Sequence, residues 1–153
     1  MRFALASITL LSVLLLPACS PLTLKPADFS WPVEMMLKVD GKGMVQENRY
    51  SIAVNVKELL FAETQDSVNV SRHTLRMIRD TRGYYFITAS KFKNVYVFEH
   101  GDGALKLVSK IKVSEQGLES PALNQRPPYI QLVNEKDPPI LLDRDGIQQG
   151  GKK

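Results

Sequence analysis

The chain has 153 residues, a formal net charge of +4 and 44% hydrophobic residues. Its one cysteine, Cys19, excludes an intrachain disulfide, a CxxC redox pair, a cysteine metal cluster and a haem-attachment motif. The charge excess is mild; it permits weak attraction to an anionic surface and does not point to nucleic acid.

The N-terminus carries one positive charge, Arg2, followed by an apolar run from Phe3 to Leu16 broken only by Ser7, Thr9 and Ser12. This is the pattern of an export signal, and the run is shorter than the roughly 20 residues a transmembrane helix needs. It ends in Leu16-Pro17-Ala18-Cys19. An ordinary signal-peptidase site wants a small residue three places before the cut, where Leu16 is too large. A Leu in that place, a small Ala18 before the cut and a cysteine after it resemble the lipobox of bacterial lipoproteins. Pro17 departs from the small or β-branched residue more usual there. The resemblance implies cleavage between Ala18 and Cys19, a thioether-linked diacylglycerol on Cys19, and often an acyl chain on the new amine. Each buried methylene contributes about 0.8 kcal/mol, so two or three chains make release negligible. In enterobacterial lipoproteins an Asp after the cysteine favours retention at the inner membrane; Ser20 therefore implies an outer-membrane address facing the periplasm.

Residues 19–32 follow as a lipidated tether stiffened by Pro21, Pro26 and Pro32. Phe29 and Trp31 are unusual for a linker and are expected to dock on the domain, with an interfacial membrane contact as the alternative. Residues 33–147 form the expected domain, and 148–153 a flexible polar tail.

Val33, Met35, Leu37 and Val39 share one face with Glu34, Met36 and Lys38 on the other, and Tyr50, Ile52, Val54 and Val56 share one face with Arg49, Ser51, Ala53 and Asn55 on the other. With the turn signal Asp40-Gly41-Lys42-Gly43 between them, they predict a half-buried antiparallel hairpin. Residues 57–64 fit either a strand or a short helix, and so do residues 70–82. If the latter is a helix, Arg72, Arg76 and Arg79 share one face. If it is a strand, it feeds the next hairpin through Asp80-Thr81-Arg82-Gly83.

Tyr84–Ala89 is aromatic and β-branched. Val95–Phe98 is apolar on both faces, so an interior strand is expected. After the turn His100–Gly103, the segment Ala104–Val113 is expected to place Leu105, Leu107, Ile111 and Val113 inward and Lys106, Lys110 and Lys112 outward. Ser120–Pro128 reads as a loop. Tyr129–Val133 and Ile140–Leu142 read as short strands whose preceding prolines suit edge positions.

The fold expected is all-β: an antiparallel meander closed as a sandwich or a small barrel. Residues 75–113 also resemble a single NHL- or quinoprotein-type propeller blade. A propeller needs at least four blades of about 40 residues, more than the mature chain supplies, so this wording is read as hairpin chemistry.

Catalytic and metal patterns are sparse. His73 and His100 stand in no HxxxH or HExxH spacing. Asp143-Arg144-Asp145-Gly146 fails as a calcium loop because Leu141 and Lys152 occupy its first and twelfth positions. No GxSxG, P-loop or Rossmann glycine pattern is present. No enzyme activity and no cofactor beyond the lipid on Cys19 are therefore expected. The densest charge feature is Arg72, His73, Arg76, Arg79 and Arg82. It reads as a solvated face partly balanced by Asp66 and Asp80, or as a patch for an anionic partner. Two functions follow: a membrane-anchored envelope module with protein partners, or a small-ligand or lipid-binding β-domain.

Overall fold

A computed structural model describes residues 33–48, 51–135 and 137–148. The expected signal peptide, Cys19, the tether with Phe29 and Trp31, and residues 49, 50 and 149–153 lie outside the described residues.

The described chain is an antiparallel all-β sandwich, without barrel closure, plus one helix. Its strands are β1 (Met35–Lys38), β2 (Met44–Glu47), β3 (Ile52–Asn55), β4 (Thr74–Arg79), β5 (Tyr85–Ala89), β6 (Asn94–Gly101), β7 (Ala104–Lys112), β8 (Pro121–Arg126), β9 (Tyr129–Asn134), β10 (Ile140–Asp143) and β11 (Gly146–Gln148). Helix α1 spans Lys57–Thr64, and a single 3-10 turn spans Val70–Arg72. Gln148, expected in the tail, is the last residue of β11.

The central layer is a five-stranded sheet in the order β1-β4-β5-β6-β7. Successive side chains on a strand point to opposite faces, and here both faces are covered. One face carries Met35, Leu37, Leu75, Met77, Tyr85, Ile87 and Tyr96 and packs against Val45, Ile52, Val56 and Leu60 of the β2-β3 pair and α1. The other carries Ile78, Phe86, Val95 and Val97 and packs against Leu123, Ile130, Leu132 and Leu142 of a four-stranded sheet, β11-β10-β9-β8. Strand β5, in the middle of the central sheet, is buried at every residue. Val95–Phe98 also lies in an interior strand, as its two-sided apolarity predicts.

Four expectations are corrected. First, the strand ending at Val39 and the one beginning at Ile52 do not pair. β1 pairs with β4 (Met35 opposite Met77), and β3 pairs with the short β2. The turn at Asp40–Gly43 exists, but it swings β2 over the face of the central sheet, where Val45, Ile52 and Val56 cover apolar surface that would otherwise meet water. Second, Ser120–Pro128 contains strand β8, which ends in a turn at the cis Pro127-Pro128 peptide.

Third, β9 and β10 are interior strands; β8 and β11 form the edges of their sheet. The prolines before them lie in connections, where no ladder N–H is needed. Fourth, Leu107 is 56% exposed. The β6–β7 register slips at Val97/Phe98, which face Ser109 and Leu107, leaving Val108 as an extra residue. Such a bulge reverses which face the following side chains occupy. Ile111 therefore enters the second core, while Lys110, still exposed, lies over the other face with its Nζ 5.4 Å from the centre of the Tyr96 ring.

The two ambiguous segments resolve differently. Residues 57–64 are helical: Asn55 Oδ1 accepts the Lys57 N–H at 3.0 Å near the start, and Gln65 in the left-handed region ends the helix by donating its N–H to Phe61 O. Leu60 is its fully buried residue. Residues 70–82 form the 3-10 turn and then a strand.

Two tight connections, β1 to β2 and β4 to β5, repeat one solution. In Asp40-Gly-Lys-Gly-Met44 and Asp80-Thr-Arg-Gly-Tyr84, the aspartate Oδ1 accepts two backbone N–H groups, from residues two and four places on, at 2.8–2.9 Å. Gly43 and Gly83 adopt φ of 78° and 98°, which side chains with a Cβ resist. The accepted N–H groups hold the Asp40 carboxyl below its usual range, the Met44 bond contributing most. The Asp80 side chain is only 3% exposed and also meets Arg82 Nε at 3.4 Å. Asp80→Ala leaves those donors unpaired. It should cost about 2–3 kcal/mol, read as a lowered urea midpoint with an unchanged m-value; Asp40→Ala, at an exposed turn, should cost less.

Candidate functional site: a basic cleft at the open seam

The central sheet is one strand wider than the sheet stacked on it. β8 lies against β4, so the β1 column extends past the covering layer. Met36 faces this uncovered shelf and is 61% exposed. Its neighbours across the sheet are Arg76 and, beyond it, Thr88.

Glu34 closes the seam. Its Oε2 accepts Arg76 Nη1 at 3.0 Å, and its Oε1 accepts the Leu123 N–H of β8 at 2.6 Å. One carboxylate thus ties the start of the domain to both sheets. Arg76 and Glu34 retain 26% and 19% exposure, so solvent still reaches the pair.

Beside this bridge lies a cleft of about 270 Å³ lined by Met36, Arg72, His73, Arg76, Ser90 and Glu119, among others. The 3-10 turn ends at Arg72, and the His73 backbone anchors it: His73 O accepts the Val39 N–H at 3.2 Å. Asp66 stands behind the turn, its carboxyl held below the usual range by the N–H groups of Asn69 and Val68 and by the nearby His73. The Ser90 hydroxyl donates to Glu119 O at 2.8 Å.

Of the four arginines grouped by sequence, the structure brings Arg72 and Arg76 together with His73, and separates the other two. Arg79 lies two positions beyond Met77 on the opposite face of β4 from Arg76, 5.5 Å above the Tyr85 ring. Arg82 is in the β4-β5 turn on Asp80. A helix would have aligned Arg72, Arg76 and Arg79; the strand splits them because its period is two.

Arg72 differs from its neighbours in charge pairing. Arg76, Arg82, Lys106, Lys110, Lys112 and Arg144 each stand within 4.0 Å of a carboxylate oxygen. The exposed Arg72 guanidinium has no acidic partner among the described residues.

A second, acidic cleft of about 490 Å³ lies beyond Glu119, lined by Glu115, Glu119, Glu135 and Asp137 with Ser114 and Asn134. The Glu119 carboxyl raises the pKa of Glu135 through a shared hydrogen bond and like charge. Asn134 ties the floor, accepting Glu119 and Ser120 N–H groups and donating to Asp137. Among the described residues no group of three or more His, Cys, Asp or Glu side chains is arranged to hold a metal ion, and no helix is long and apolar enough to cross a membrane.

Sequence reasoning passed over Glu34 and Glu63. Glu34 read as a polar residue in an alternating strand, and Glu63 as one of an ambiguous octet. The partners that define them lie 42 and 89 residues away for Glu34, and 30–33 away for Glu63. No local pattern signals such bonds. No protein-family model, curated protein or solved structure matches the chain.

Proposed function

We propose that this chain is a bacterial lipoprotein, anchored through diacylglycerol and an N-acyl chain on Cys19, whose β-sandwich is a non-catalytic interaction module of the cell envelope, on the periplasmic face of the outer membrane. The observation that carries this is the Leu16-Pro17-Ala18-Cys19 sequence at the end of an apolar run, with no other cysteine in the chain.

Two features support an interaction role. The space between the layers is filled by side chains such as Phe86, Leu60 and Leu132, and the two clefts open to solvent between polar walls. The long edge strand β7 exposes Leu107 and Val108 beside its lysines, a surface suited to an extended partner segment, with envelope proteins as the class of partner.

The test is Cys19→Ser in a bacterial host. The wild-type chain should incorporate labelled fatty acid, run at the processed size and sediment with membranes. The variant should lose the label, accumulate as precursor and lose stable membrane attachment after processing is bypassed. Continued cleavage before residue 19 in the variant would refute the lipobox reading. Affinity isolation of the lipidated chain from membranes then tests the module: a reproducible envelope protein supports it, and recovery alone with a bound lipid refutes it.

A further inference from the structure

We propose that the Arg72–His73–Arg76 cleft, with Met36 at its rim, binds the phosphate of an anionic phospholipid headgroup and seats the domain on the bilayer that carries its anchor. The inference deepens the lipoprotein reading and rests on it for the membrane's proximity.

Position comes first. The described chain begins at Val33, and Glu34 is bonded to Arg76 at 3.0 Å. The cleft therefore lies where the tether joins the domain. Residues 19–32, fully extended, reach at most about 50 Å, so a cleft at their junction with the domain is within reach of the lipid that would hold Cys19.

Chemistry comes second. Arg72 offers a guanidinium with no acidic partner among the described residues, and guanidinium forks match phosphate oxygens. Arg76 adds a second cation whose Glu34 partner already divides its two oxygens between Arg76 and the Leu123 N–H. His73 supplies a ring N–H at the same wall. The lining also holds one carboxylate, Glu119, which it shares with the acidic cleft beyond.

The third element is apolar. Met36, 61% exposed, stands beside the cations at the rim of the cleft. Basic side chains beside exposed apolar ones fit the boundary between headgroups and acyl chains. A bilayer surface supplies phosphate and hydrocarbon side by side, whereas an acidic protein surface would need a separate apolar contact for Met36.

The experiment uses the chain from residue 19 onward with Cys19→Ser, so that no acyl chain contributes, and sedimentation with vesicles of phosphatidylglycerol or of phosphatidylcholine at physiological salt. Binding to phosphatidylglycerol alone is expected. Adding Arg72→Ser should weaken it about fivefold, the typical contribution of one basic residue near an anionic surface. Lys106→Ser, on the opposite edge of the central sheet, should change it less than twofold. Met36→Ser should weaken the binding that survives in high salt. The exposed Arg72 side chain has no hydrogen bond or ion pair among the described residues, so the melting temperature of Arg72→Ser should match the parent.

Equal losses from Arg72→Ser and Lys106→Ser would reduce the effect to diffuse charge and overturn the site. Absence of vesicle binding, or equal binding to phosphatidylcholine, would also overturn it. Arg72-dependent binding of glycerol phosphate, or of a protein partner, without vesicle binding would reassign the cleft and refute the membrane role. Loss of fatty-acid labelling in wild-type cells would instead refute the anchor, and is read in a separate assay.

Discussion

Replacing Glu63 with Ala should lower the stability of the domain by about 3–5 kcal/mol, the usual cost of breaking a buried charged network from one side. The Glu63 side chain is 1% exposed and accepts three hydrogen bonds at 2.6 Å: from the Lys93 N–H, Asn94 Nδ2 and the Tyr96 hydroxyl. Lys110 Nζ stands 3.9 Å away. These contacts clamp α1 to the start of β6. Alanine would leave three donors without their acceptor, of which the Asn94 amide and Tyr96 hydroxyl are part-buried, while the half-exposed Lys110 turns to water. A fall in melting temperature of roughly 10 °C or more is expected for a domain of this size. Glu63→Gln keeps the volume but turns an amide NH₂ toward donors, so it should recover only part of the loss. A change below about 1 kcal/mol for Glu63→Ala would show that the network is not closed in solution.

The same network has an alkaline signature. Burial, and then the hydrogen bond and charge of Glu63, push the Tyr96 phenol well above its ordinary value of 10.0. A raised folded pKa means that the unfolded chain releases its phenol proton first as pH rises. The stabilisation is thus fully present below about pH 10 and is lost above it. Tyr96→Phe should lower stability at neutral pH and flatten the decline above pH 10 relative to wild type, as followed by urea midpoints at each pH.

Phe86→Ala should cost a similar amount, about 3–5 kcal/mol, through the cavity it opens. Phe86, on the middle strand of the central sheet, is 0% exposed, between Ile78 and Val97 on its flanks and the Leu123–Ile130–Leu132 surface of the second sheet. Total stabilities of 5–15 kcal/mol are usual, so this one change removes a large share of what holds the two sheets together. Phe61→Ala, at a helical position 49% exposed, should shift the midpoint far less. Comparable losses at Phe86 and Phe61 would contradict the layer arrangement.

Period-two alternation made most strands legible. Ile52, Val54 and Val56 face one core, and Tyr84–Ala89 and Val95–Phe98 have the composition of interior strands, because burial selects apolar side chains wherever the pleat points inward. Turn chemistry was equally legible at Asp40–Gly43, Asp80–Gly83 and Asp143–Gly146, since aspartate carboxylates and glycines with positive φ act within five residues. The short helix at residues 57–64 was not, because eight residues carry too few turns to separate two periods. The β7 bulge was hidden for another reason: one inserted residue reverses the inward face without altering composition, so Leu107 is exposed while Ile111 is buried in the second core.

The basic cluster shows the same division. Sequence placed Arg72, Arg76, Arg79 and Arg82 in one stretch and stopped there. Strand geometry sent Arg76 and Arg79 to opposite faces, and the narrower second sheet left a shelf where Arg72, His73 and Arg76 meet Met36.

The sequence alone determined the alternation that makes the fold all-β, the turns, and the single cysteine behind an apolar run from which the anchor is inferred. These depend on residue type and short-range order, which the chain carries directly. The pairing of β1 with β4, the seam bridged by Glu34, the Glu63 clamp and the cleft were decided only by tertiary structure. Each joins residues tens of positions apart, and a contact of that kind exists only once packing has selected one register among many.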